Sequence, residues 1–146
     1  MTRSPLIGTR LPRKEDTSFL TGKSQFTDDL SLGQQCYAQF VRSPHPHARI
    51  LRIDADDARS MAGVVAVLTH ADLEAAGVGV IPTLTRAPGF AVLDRHGNPI
   101  PDPAQYPLAR DKVRFAGEPI AMVVGTSIEA ARDGCEAVVV EFDELV

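Results

Sequence analysis

The sharpest chemical constellation in this 146-residue sequence is His45-Pro46-His47. On a strand, positions i and i+2 point to one side, a workable two-ligand arrangement for zinc or copper. A third ligand would have to come from His70, His96 or an acid such as Asp54. Two imidazoles alone leave a metal under-coordinated. The favoured reading is therefore a tight strand connection that the histidines shape and hydrogen-bond. Glu118, in Gly117-Glu118-Pro119, invites a general-base role, because a carboxyl beside an apolar strand is open to activation by burial. No histidine or second acid stands at a spacing that would complete acid–base work. The following proline also pre-positions Glu118 as a turn residue. Asp28-Asp29 and Glu141-x-Asp143 read as solvated charges at a turn and a strand end. Gly-x-Gly-x-x-Gly, P-loop and Cys-x-x-Cys patterns do not occur, so dinucleotide, phosphate-loop and iron–sulfur binding lack support in this chain. The expectation is that no residue here is catalytic, cofactor-binding or metal-binding.

Composition narrows the classes further. The chain has 15 basic and 19 acidic side chains, a net charge of −4, which gives no electrostatic footprint for nucleic acid or an anionic membrane. Six Phe, two Tyr and no Trp leave little for base stacking. No apolar run approaches the ~18–20 residues that cross a bilayer, and no apolar region follows Met1-Thr2-Arg3-Ser4-Pro5 as a secretory signal would require. Cys36 and Cys135 are neither clustered for a metal nor numerous enough for a disulfide framework. They read as small buried apolar residues of a reducing compartment, with the cytoplasm as the expected location.

The elements that must position these residues follow from periodicity. Residues 1–34 are polar and turn-rich, with scattered apolar side chains, and read as an extended arm; residues 35–146 form the domain proper. Gln35 to Arg42 alternates as a strand, with Cys36, Ala38 and Phe40 on one face and Tyr37, Gln39 and Val41 on the other. Pro44 and Pro46 break it, and His47 to Asp54 resumes the strand pattern. Asp54 is placed to cap a short helix from Ala55 to Met61, closed by Gly63. Val64–Leu68 is wholly apolar and reads as a strand buried on both faces. Thr69 and Asp72 form a capping box for a helix ending before Gly77. Residues 78–107 hold six of the eleven prolines and read as a long irregular loop held by a neighbour. Beyond Lys112–Phe115, a Gly117-Glu118-Pro119 turn leads to a strand over Ile120–Val124. Thr126 and Glu129 then predict a capped helix from Ser127 to about Glu136, with Ile128, Ala131 and Cys135 on its inner face. Val138–Phe142 is the last strand. The result is an α+β domain: a small mixed sheet with two short strand–helix–strand units, at 48–68 and 120–142.

Four stretches together resemble the N-terminal α/β hammerhead domain of the molybdopterin-binding large subunit of the xanthine dehydrogenase, aldehyde oxidase and carbon monoxide dehydrogenase family. They are Arg13-Lys14-Glu15-Asp16 with Phe19-Leu20-Thr21-Gly22-Lys23 and Asp28-Asp29-Leu30; Phe40 through Ile50, leading to Ile53-Asp54; Gly63 through Thr69 with Ala71-Asp72-Leu73; and Tyr106-Pro107-Leu108-Ala109, Lys112 through Phe115, Gly117 through Ala121 and Val138 through Phe142. Pro46 stands where the family pattern more often has Ala, and Phe26 where it has Tyr.

The resemblance implies a hammerhead fold within a molybdenum hydroxylase, an oxidoreductase acting on aldehydes, nitrogen heterocycles or carbon monoxide. In such enzymes the molybdopterin-contacting loops and the glutamate base lie beyond this domain, and electrons leave through iron–sulfur clusters to FAD on partner domains or subunits. This chain alone is then expected to bind no cofactor and to be inactive, as a truncated or stand-alone version of the domain. Its expected partners are the remaining large-subunit domains and the iron–sulfur and flavin subunits, with Arg13, Arg42 and Arg49 as candidate interface charges. Two alternatives stay open: a stand-alone protein-interaction module docking through loop 78–107, and a small metal-binding protein using His45 and His47. An isolated chain would also be open to homodimerisation through apolar surface that has lost its neighbours.

Overall fold

A computed structural model describes residues 8, 10–83, 89, 92–101 and 103–145. Contacts divide the chain into two units, Met1–Gln35 and Cys36–Val146. In the first unit, α1 (Asp16–Leu20) is a single helical turn that the reading of an extended arm did not anticipate. Its cause is local: the Asp16 carboxylate accepts the Arg13 N–H at 3.0 Å and meets the Arg13 guanidinium at 3.4 Å. A 3-10 turn at Thr27–Asp29 follows, and the Phe19 and Phe26 rings stack at 5.3 Å. The arm reading for residues 1–7 and 9 lies outside the described residues, as does loop 78–107 at 84–88, 90, 91 and 102.

The second unit runs β1 (Tyr37–Arg42), β2 (Ala48–Asp54), α2 (Asp56–Ser60), β3 (Val64–Leu68), α3 (His70–Ala75), β4 (Lys112–Val113), β5 (Pro119–Gly125), α4 (Ile128–Glu136) and β6 (Val139–Glu144). The α+β class holds, but the strands do not form one mixed sheet. They make two three-stranded sheets, ordered β1-β5-β3 and β4-β2-β6, and every pairing between these strands is antiparallel. Both strand–helix–strand units are present, and each steps from one sheet to the other. For the first unit length is a reason: a parallel crossover within one sheet takes a dozen or more residues, and the connection 55–63 is too short. It carries the chain to the neighbouring sheet instead.

Two apolar clusters join these layers. Ala55, Ala58, Val67, Val123 and Val138 lie under α2 and α4, and Ala48, Ala109, Val113 and Ile120 sit against the second sheet; Ile53 and Val140 touch both clusters. Gly134 shows why α4 tolerates a glycine. A Cβ there would come within 2.8 Å of Val123 Cγ1 and 2.9 Å of Val64 Cγ2, so the helix reaches the sheet only without a side chain. Gly63, at φ +85°, makes the left-handed turn before β3, and its carbonyl accepts the Thr126 N–H at 2.8 Å. That bond ties the two strand–helix–strand units together.

Several local expectations change in the structure. Val64–Leu68 is an edge strand, not a strand buried on both faces: Val67 is buried and Val65 is 57% exposed. Cys36 is exposed, because it continues the outward face of β1 with Ala38 and Phe40; Cys135 is half-buried, and burial pushes its thiol pKa up. Ala55 takes the cap position of α2, while the Asp54 carboxylate accepts the Asp56 N–H at 3.3 Å. Ser127, not Thr126, caps α4, its hydroxyl accepting the Ala130 N–H at 3.1 Å. The Thr69–Asp72 box forms as expected: the Asp72 carboxylate accepts both the N–H and the hydroxyl of Thr69 at 2.7 Å. Within loop 78–107, Leu93 bridges Pro99, and Asp94 accepts the N–H groups of His96 and Asn98 at 2.8 and 2.9 Å, a local turn that the irregular reading did not resolve. Among the described residues no helix is long and apolar enough to cross a membrane.

Candidate functional site

The chain turns twice at the same place. The Ser43–His47 turn leaves β1, and the Arg114–Pro119 turn enters β5; the antiparallel pairing of β1 with β5, ending at Arg42↔Pro119, brings them together. There the backbone interlocks. The Ser43 N–H donates to the Glu118 carbonyl at 3.0 Å, and the Gly117 N–H donates to the Ser43 carbonyl at 2.8 Å. The Arg42 guanidinium donates to the Gly117 carbonyl at 2.9 Å and lies 5.5 Å from the centre of the Phe40 ring. The buried Ser43 hydroxyl donates to the His45 carbonyl at 2.9 Å and accepts the His45 N–H at 3.0 Å, which winds the Pro44–Pro46 segment tightly.

Glu118 closes the second turn. Its carboxylate accepts the Arg114 N–H and faces the Arg114 guanidinium at 3.5 Å, with the side chain only 12% exposed. Arg114 also reaches Asp111 at 3.7 Å and donates to the Lys112 carbonyl at 3.1 Å. A carboxylate that accepts a backbone N–H and pairs with a guanidinium acts as a structural brace. Beside it, Thr83, Tyr106, Arg114, Phe115 and Glu118 help to line an open hollow of about 260 Å³.

The two histidines do not share a strand face. Both lie in the turn, where the i, i+2 rule fails. The His45 ring packs edge-on against Phe142 at 4.8 Å, and its Nδ1 lies 3.3 Å from Glu144. His47 uses its carbonyl to accept the Leu145 N–H at 3.0 Å. The potential third ligands are elsewhere: Asp54 pairs with Arg52, His96 accepts from Arg95 at 2.9 Å, and His70 is buried edge-on to Tyr106 at 4.6 Å. Among the described residues no three His, Cys, Asp or Glu side chains gather where they could hold a metal.

Sequence reasoning missed the importance of Ser43 and His70. Ser43 is a small polar residue before a proline, and nothing in its spacing marks it as buried. Neither ring nitrogen of His70 has a hydrogen-bond partner among the described residues, although buried polar groups are nearly always paired. Nearby, the hydrogen bond from Arg110 to the Tyr106 hydroxyl at 3.3 Å helps hold the guanidinium pKa above its ordinary value. Asp28-Asp29 and Glu141 with Asp143 are exposed, as expected for solvated charges.

Comparisons with known proteins fit this geometry. The family described as aldehyde oxidase and xanthine dehydrogenase, a/b hammerhead domain, matches residues 21–146. The nicotine 6-hydroxylase large subunit of Paenarthrobacter nicotinovorans is 39% identical over 140 residues, covering 96% of this chain and 16% of that protein. The carbon monoxide dehydrogenase large chain of Afipia carboxidovorans is 35% identical over 139 residues, covering 95% of this chain and 15% of that protein. Among solved structures, quinoline 2-oxidoreductase from Pseudomonas putida 86 superposes with a TM-score of 0.77 at 35% identity, covering 99% of this chain and 17% of that one. The chain thus spans about a sixth of the length of the curated relatives it matches.

Proposed function

Since the chain belongs to the aldehyde oxidase and xanthine dehydrogenase family as its α/β hammerhead domain, we propose that it is a structural block of a larger molybdenum hydroxylase subunit and contributes no catalytic residue of its own. The observation that carries this reading is the interlocked pair of turns. The residues with chemical potential there are engaged locally: Ser43, Arg114 and Glu118 direct their polar atoms at backbone groups and at each other, and His45 turns its Nδ1 toward Glu144. His45 does approach a carboxylate, Glu144 at 3.3 Å, but its ring packs on Phe142 and that carboxylate is exposed, which supports a bracing role over acid–base catalysis.

The reaction of the whole enzyme would be oxidation of a nitrogen heterocycle, an aldehyde or carbon monoxide, in line with relatives named for nicotine and carbon monoxide. A molybdenum centre would supply that oxidation from elsewhere in the polypeptide. Among the described residues the donor set does not fit a metal held by protein side chains. Electrons would leave through iron–sulfur and flavin partners, in a cytoplasmic complex.

The test is substitution within the large subunit that carries this chain. His45→Ala, His47→Ala and Glu118→Gln are each expected to leave kcat per bound molybdenum unchanged. Any of them lowering kcat by the ~10²–10⁴-fold typical of a lost proton-transfer group, at full molybdenum loading, would overturn the reading.

A further inference from the structure

An antiparallel sheet with one face in water normally alternates apolar inward and polar outward. The β1-β5-β3 sheet does not. Its inner face carries Gln39, Val123 and Val67 in one cross-strand row, over the core under α4. Its outer face carries Ala38, Val124 and Ala66 in one row and Phe40, Met122 and Leu68 in the next. All six outer residues are apolar. Ala38 and Phe40 are exposed, Phe40 at 40%, and the other four are only half-buried. Cys36 extends the same face, also exposed.

We propose that this outer face is an interdomain seat, covered by an apolar segment from the rest of the large-subunit polypeptide. The inference rests on the proposed function and adds which surface meets the partner. Size identifies the occupant. Three strands ~4.8 Å apart and two rows of side chains make a patch of only a few hundred Å² at most. A stable association of separate chains needs about 800 Å² on each partner, so a second copy would be held too weakly. A tethered segment acts at an effective concentration in the millimolar range and closes on a patch this small. The relatives, about six times longer than this chain, have the polypeptide to provide one.

The experiment is thiol footprinting with Ala38→Cys in a Cys36→Ser background, and Leu51→Cys in the same background as a control; Leu51 is 63% exposed on the other sheet. Maleimide labelling at each position is followed by peptide mass mapping, in the 146-residue chain and in the large subunit. We expect Cys at position 38 to label rapidly in the chain and at least tenfold more slowly in the large subunit, with the control equally reactive in both. Equal labelling of position 38 in both would overturn the seat while leaving the domain's membership of the subunit intact. Protection in the chain alone that deepens with concentration would also overturn it, because a second copy would then be the occupant.

Discussion

Glu118, Ser43 and His70 show how differently three polar side chains can stand in one small domain. Glu118 braces a turn, and its loss would leave the Arg114 N–H without its acceptor. Glu118→Ala is expected to cost about 1–3 kcal/mol, the usual penalty for stranding a shielded partner, and Glu118→Gln clearly less, because the amide oxygen still accepts. Urea unfolding of the two variants measures the difference; equal costs would show that the hydrogen bond to the backbone is not what matters. His70 is the opposite case, since its buried nitrogens have no partner to lose among the described residues. His70→Phe keeps a ring against Tyr106 and removes the unpaired polar atoms, so it is expected to leave stability unchanged or raise it by about 1 kcal/mol. A clear loss in the same unfolding experiment would mean that the ring nitrogens are satisfied in solution. These roles were unevenly legible. The proline after Glu118 marks a turn, whereas the burial of Ser43 and His70 depends on contacts far along the chain that no local pattern encodes.

The elements were legible where their signals are local. Alternation marks β1, the apolar run marks β5, and Thr69 with Asp72 marks the start of α3. The partition of strands into two sheets was not legible, because side-chain period says which face a strand buries and nothing about which neighbour it takes. The edge position of β3 was hidden for the same reason: an apolar strand reads alike whether a helix, a sheet or a missing neighbour faces it. The choice of Ser127 over Thr126 turns on one residue of backbone register, inside the usual uncertainty of helix ends. Two experiments belong here. Gly134→Ala would by helix propensity gain about 1 kcal/mol. Here the new methyl meets Val123 and Val64 below 3.0 Å, and overpacking is expected to cost about 1–3 kcal/mol instead. The sign of the change in thermal midpoint decides between them. For α3, the Thr69 N–H and then its hydroxyl hold the Asp72 carboxyl pKa below its ordinary value of 3.8. A depressed pKa contributes stability above the unfolded value, and that contribution is lost as pH falls through the folded one. Asp72→Asn should therefore narrow the stability difference between pH 7 and pH 3, and an unchanged difference would remove Asp72 from the acid response.

At the scale of the molecule, two antiparallel sheets share a core through Ile53 and Val140, and a pair of interlocked turns fixes where β1 gives way to the second sheet. That arrangement holds Ser43 and Glu118 in place through the hydrogen bonds of the turns themselves. It also leaves the outer face of the β1-β5-β3 sheet apolar, which suits a block set inside a larger assembly. The central claim is that this polypeptide supports a molybdenum enzyme without holding its cofactor. Its most direct test is the molybdenum and pterin content of the 146-residue chain, purified from cells that supply the cofactor to a full-length relative. The expected result is a folded protein with molybdenum and pterin at background. Recovery of either at near one equivalent per chain would contradict the claim.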